Sequence, residues 1–193
     1  MPRRAASLAR ALRRCPSRFA RAERGVAAIE FALLFPLLLM IVAASVDISE
    51  ALYARRKTIQ IAANLAGFVA DQNQWSGREV DDLIGAARFI IRPFPARDLA
   101  VTVSVLRVGE DGSVKVSASR AIGGEPLRAG DAPPIPVPAA IRKPDVDLVL
   151  AQVDYSLETP FSTLWPVIAV HDRFEFSQHY FARPRRSDKV TID

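Results

Sequence analysis

The sequence predicts an α+β fold with a long N-terminal transmembrane helix, a second helix, and a small, largely antiparallel sheet of about four strands. Three observations predict it. Residues 26–46, VAAIEFALLFPLLLMIVAASV, contain a single ionisable group, Glu30. Apolar residues at helical spacing continue from there to about residue 70. From residue 101 the apolar period changes from that of a helix to two.

The first 25 residues form a basic leader. They hold eight arginines against one acid, Glu23, a balance of +7. The remaining 168 residues therefore carry −2 of the net +5, so the basic character belongs to the leader and argues against nucleic acid as a partner. The 21 residues of 26–46 reach about 31 Å as a helix, the thickness of a bilayer's hydrocarbon core. Twelve of them are Val, Ile, Leu or Phe, worth about −5 kcal/mol for insertion. Glu30 opposes this by at most about 3 kcal/mol, and by less near the end of the span. Insertion wins. The following flank, Asp47 to Lys57, has two acids and three bases, so charge asymmetry puts the N-terminus in the cytoplasm and the C-terminal domain outside.

Ile48, Leu52, Ile59, Ala62, Leu65 and Val69 extend the helical pattern past the span. A helix from Val26 to about Ala70 would be about 68 Å long, with Pro36 inside it expected to bend it by freeing the carbonyl of Ala32. Ser76-Gly-Arg-Glu79 reads as a capping box. Val80, Leu83, Ile84, Ala87 and Ile91 then make one apolar face, ended by Pro93. Trp75 is expected to pack in the joint between the two helices. Val101, Val103 and Val105, a turn at Gly109–Gly112, and Val114, Val116 and Ala118 predict a hairpin. Residues 125–144 contain six prolines and read as an extended connector. In residues 146–158 the apolar phase shifts from even (Val146, Leu148, Leu150) to odd (Val153, Tyr155, Leu157), which predicts a bulge or bend near Ala151. Phe174, Phe176 and Tyr180 mark the last strand. The extracytoplasmic domain is thus expected over 76–183, followed by a polar tail, 184–193.

The chemistry lies where the leader meets the span. Arg24-Gly25-Val-Ala-Ala-Ile-Glu30-Phe31 resembles a type IV prepilin processing site: a basic leader, a Gly, then Glu and an aromatic at the fifth and sixth positions, then a long apolar helix. With ALLFPLLLMIVAAS and the charged run Ala54-Arg-Arg-Lys57 behind it, the segment over about residues 21–57 resembles the TadE-like pseudopilins, minor components of the tight-adherence (Flp) pilus and secretion apparatus. No von Willebrand-type insert of the larger TadG relatives is present. The resemblance implies a structural and interaction protein of a bacterial inner membrane, with a periplasmic domain. Its partners would be the lipid bilayer, a prepilin peptidase, and other pilin or pseudopilin subunits. It also implies cleavage between Gly25 and Val26, with Glu30 pairing to a Val26 amine of its own or a neighbouring subunit. Independently, Gly25 lacks a Cβ and lets an extended backbone approach a protease cleft closely. The alternative role for Glu30 is an interfacial charge reaching for headgroups.

Other candidates are weaker. His171 and His179 stand eight apart on the solvent parity of one strand, which cannot converge two ligands on a metal. Asp145-Val-Asp147 has a D-x-D pattern that two solvent-facing strand residues explain equally well. Cys15 is alone, so no intrachain disulfide forms. Arg3-Arg4 and Arg13-Arg14 lack the surroundings of a folded-export signal. Phe161 to Val170, FSTLWPVIAV, reads either as a loop covering the core or as an exposed contact loop. No phosphate loop, nucleophile elbow or zinc motif occurs. The expectation is no enzyme, cofactor, metal or small-molecule substrate. The competing reading is a Sec-exported periplasmic binding domain cut at Ala43-Ala-Ser45. A membrane-tethered enzyme is the third, with no nucleophile–base pair in its favour.

Overall fold

The computed structural model describes residues 23–161 and 173–193. The first element, α1 (Glu23–Val69), is one unbroken helix of 47 residues that runs through Pro36. The chain divides into two compact units between Val46 and Asp47, and α1 contributes to both.

In the first unit the helix is apolar on every side. Phe31, Leu33, Leu34 and Phe35 are all at least half exposed, as are Leu37, Leu38 and Leu39. Neighbouring side chains point about 100° apart, so this exposure wraps the helix. A soluble core helix of this composition would be buried. Among the described residues one helix, α1, is long and apolar enough by length and composition to cross a membrane.

In the second unit α1 is one-sided. Ala51, Ala54, Ile61, Ala62, Leu65 and Val69 are buried in the core at three-, four- and seven-residue spacings. Of the expected pattern Ala62, Leu65 and Val69 lie on this face, whereas Ile48, Leu52 and Ile59 are exposed, because the core side of the upper turns is taken by the small residues Ala51 and Ala54. The unit starts at Asp47 rather than Ser76 because this face supplies one wall of its core. After β1 (Gln74–Trp75) comes α2 (Gly77–Gly85). Its capping box forms as expected: the Glu79 amide donates to Ser76 Oγ at 3.3 Å, and the Ser76 amide donates to Glu79 Oε2 at 2.8 Å. The single helix expected to reach Ile91 is instead two, because α2 stops at Gly85 and a one-turn α3 (Ala87–Ile90) follows. Glycine is a poor helix former, and the break costs little packing. Val80, Ile84, Ala87 and Ile91 still share the core face, while Leu83 is half-buried.

The sheet has four antiparallel strands in the order β3-β2-β4-β5, where β2 is Leu99–Val108, β3 Val114–Ile122, β4 Leu148–Leu157 and β5 Phe174–Ala182. The β2–β3 hairpin turns at Gly109–Ser113, with Gly112 at φ +76°. One face of the sheet meets the helices through Val101, Val103, Val105, Val149, Ala151, Val153 and Tyr155. The other face carries a second core of Leu106, Val108, Val116, Leu148 and Leu150. The proline-rich connector covers that second face with Val137, Leu127 and Ile141, and its one regular turn is Ala139–Ile141.

This double covering corrects the bulge expected near Ala151. The register of β4 runs unbroken against both β2 and β5. Leu148 and Leu150 point to one core and Val149, Ala151 and Val153 to the other, so both phases are buried. A strand covered on both faces has no need to bend when its apolar phase changes. The irregularity lies in β3: Val105 faces Ala118 but Leu106 faces Val116, leaving Ser117 as the extra residue. That insertion turns Val116 to the second core while Ile122 packs on the first.

Residues 184–193 are not a loose polar tail. Their strand β6 (Thr191–Ile192) pairs in parallel with β1. The Thr191 amide donates to Asn73 O at 2.9 Å, the Asp193 amide to Trp75 O at 3.0 Å, and the Gly77 amide to Asp193 O at 2.7 Å. Val190 is buried in the helix-side core. Val-Thr-Ile at 190–192 is a short strand pattern that the surrounding charges obscure.

Candidate functional site

Gly25, Val26, Glu30 and Phe31 lie in the first turns of α1. Successive residues rise about 1.5 Å, so Glu30 stands roughly 6 Å above Val26, four positions on and over the same face. Val26 is 59% and Phe31 62% exposed. The Phe31 ring leans on Phe35, centroids 5.5 Å apart. Among the described residues a Cβ at Gly25 would meet nothing within 4 Å, so their packing does not require glycine there. In a helix, glycine costs about 1 kcal/mol relative to alanine. Its presence is therefore unexplained by the fold.

Ala43-Ala44-Ser45, the alternative cut, lies inside the same continuous helix, and Ser45 Oγ donates to Ile41 O at 2.8 Å. One turn beyond, Asp47 is buried at 1% exposure and its Oδ1 accepts the Phe161 amide at 3.2 Å. Charge counting treats Asp47 as a flanking acid. The available signal was its place on the core seam, four residues before Ala51.

The Asp145-Val-Asp147 pair is corrected. Asp145 holds a left-handed conformation (φ 61°) and pairs with Lys189 at 3.0 Å. Asp147 is buried, not solvent-facing. Its carboxylate accepts from Arg107 Nε at 3.2 Å and from the Val190 amide at 3.1 Å. That carboxylate pushes the Arg107 guanidinium pKa up, first by hydrogen bonding and then by charge. The two acids serve the fold, tying β2 and the last residues together. Trp75 lies where expected, its Nε1 donating to Val69 O at 3.0 Å at the end of α1, directly before α2.

His179 is exposed on β5, edge-on to Phe181 at 5.9 Å between ring centroids. His171, the apolar run 162–170, Cys15 and the twin arginines of the leader lie outside the described residues. Among the described residues no group of three or more His, Cys, Asp or Glu is placed to hold a metal.

What the residues define is a long, all-round apolar helix leading into a small α+β unit, with a glycine–glutamate–aromatic cluster at its start. Residues 25–66 match the family described as TadE-like protein, over the segment where the sequence bears that resemblance. No curated protein and no solved structure matches the chain.

Proposed function

We propose that this chain is a minor pilin-like subunit of a tight-adherence (Flp-type) pilus assembly and secretion apparatus, matured by a prepilin peptidase. The observation that carries the reading is the apolar start of α1, exposed all round and matched to TadE-like proteins from Gly25 onward. It is a structural and interaction protein, with cleavage performed on it rather than by it. The basic leader stays in the cytoplasm, residues 26–46 span the inner membrane, and the unit from Asp47 lies in the periplasm. The peptidase would cut between Gly25 and Val26, where no side chain among the described residues crowds the glycine. The freed Val26 amine then sits at the bilayer edge, one turn from Glu30 on the same helix face. Pairing of Glu30 with such an amine on a neighbouring subunit would fix the axial position of one helix against the next. Leaving a poorly solvated partner unpaired costs about 3–5 kcal/mol, more than insertion gains when the charge is removed. The continuity of α1 through Ala43–Ser45 disfavours the Sec-cleaved alternative, since that cut would fall inside one helix whose next turns build the core.

The test is Glu30→Gln, followed by surface piliation, a processing blot and membrane fractionation. The expected result is normal insertion and processing with loss of piliation. Wild-type piliation would refute the pairing role.

A further inference from the structure

Immediately past Val46, α1 carries an exposed band beside its core face, touching the core where the Tyr53 ring meets Phe94, centroids 5.5 Å apart. Asp47, Ala51, Ala54 and Thr58 face inward and are buried. On the other sides Ile48 is 55%, Leu52 50% and Tyr53 46% exposed. Arg55, Arg56 and Lys57 follow directly. Consecutive helix residues are about 100° apart, so these three cations radiate in three directions. None of them has a carboxylate partner within salt-bridge distance among the described residues.

We propose that residues 48–57 form a collar in the outer headgroup layer of the bilayer. Ile48, Leu52 and Tyr53 lie in its apolar depth, and Arg55, Arg56 and Lys57 hold lipid phosphates. The proposal rests on the single-pass reading above and adds where the periplasmic unit meets the lipid. Geometry supports the reach. Arg55 is about 13 Å along the helix from Val46, farther than the headgroup layer is deep. Helical side chains lean toward the N-terminus, which here is toward the span. Lys57 shows this lean, its Nζ 5.4 Å from the centroid of the Tyr53 ring one turn earlier. A basic stem leaning back by about 6 Å puts the Arg55 charge about 7.5 Å beyond Val46, at the outer edge of the headgroup layer. Arg56 and Lys57 stand about 1.5 and about 3 Å farther out, where they meet the phosphates from the water side. Phe161, held by its amide to Asp47 Oδ1, adds an exposed aromatic beside the first turn of the band. An apolar run followed by an aromatic is what either membrane interface selects, and Lys or Arg side chains near a helix end reach to that interface. A partner helix is a poorer occupant, because the cations encircle α1 and interrupt any continuous apolar seam.

The test uses the full chain with Cys15→Ser, reconstituted in vesicles of phosphatidylcholine and phosphatidylglycerol. An environment-sensitive fluorophore is placed at Leu52→Cys or Ile48→Cys, with Phe68→Cys as the distant control. Lipids carrying a headgroup nitroxide should quench labels at 52 and 48 severalfold more than the label at 68. Replacing Arg55, Arg56 and Lys57 by Gln should reduce that quenching. Labels at 52 and 48 quenched no more than the control would overturn the proposal, whether aqueous iodide reaches them or a protein partner shields them. Retention through an alkaline carbonate wash tests the anchor separately, so a retained chain with water-exposed labels removes the collar alone.

Discussion

Removing the Asp147 carboxylate should release the last residues of the chain from the sheet. Its side chain is 1% exposed and joins two elements: Arg107 on β2 and the Val190 amide just before β6. In Asp147→Ala the Val190 N–H stays buried without an acceptor, which costs about 1–3 kcal/mol. The Arg107 side chain is 52% exposed and can turn to water, so its lost pairing adds no more than about 1 kcal/mol. A total of about 1–4 kcal/mol follows. Asp147→Asn keeps an oxygen for the Val190 amide and loses only the charge, so it should cost less than about 1 kcal/mol. Urea unfolding of the full chain in detergent, followed through Trp75, reads this directly because β6 pairs with the strand that carries Trp75. The alanine variant should also lose amide-exchange protection at Val190 and Thr191. Equal destabilisation by Asn and Ala would refute the reasoning, since charge rather than the amide acceptor would then dominate.

Gly123 has φ +78°, and a Cβ there would lie 2.5 Å from Leu99 O, so Gly123→Ala should cost at least about 2 kcal/mol in the same unfolding assay. Gly130→Ala (φ +93°), with nothing within 4 Å of its Cβ, should cost only the conformational part. The Glu79 pKa is held below the usual carboxylate range by the Ser76 amide first and the Ser76 hydroxyl second. Its contribution to α2 is therefore complete above the unfolded carboxylate pKa and is lost as pH falls through the lower folded value. NMR titration should show α2 amides loosening there in wild type, and Glu79→Gln should remove that step. For orientation, a phosphatase-type reporter that folds only outside the cytoplasm should be active when fused after Asp193. Activity of a cytoplasm-only reporter at the same point would reverse the topology.

Much of this architecture is legible in local sequence. The Ala62–Val69 end of the α1 seam, the Ser76–Glu79 capping box and the β2–β3 hairpin each follow from a periodicity or a short-range hydrogen bond. Ile48, Leu52 and Ile59 carry the same spacings but face away from the core, which takes Ala51, Ala54 and Ile61 instead. What was not legible depends on contacts distant in sequence. The phase change in β4 looks like a bend until the connector, supplying Leu127 and Val137, is seen to cover the second face. Asp147 looks solvent-facing until Val190 and Arg107 arrive from far along the chain. Residues 184–193 look like a tail because their charges outnumber the short Val190–Ile192 run that docks. At the candidate site the position is reversed. Gly25, Glu30 and Phe31 stand out in the sequence, and the fold adds that no packing among the described residues accounts for Gly25.

The mature N-terminus tests the central claim most directly. Membrane-extracted protein from cells with the intact pilus system should yield Val26 as its first residue by terminal sequencing or intact mass. A Gly25→Trp variant should retain the leader. Recovery of an intact Met1, or of a start at Val46, would contradict processing after Gly25.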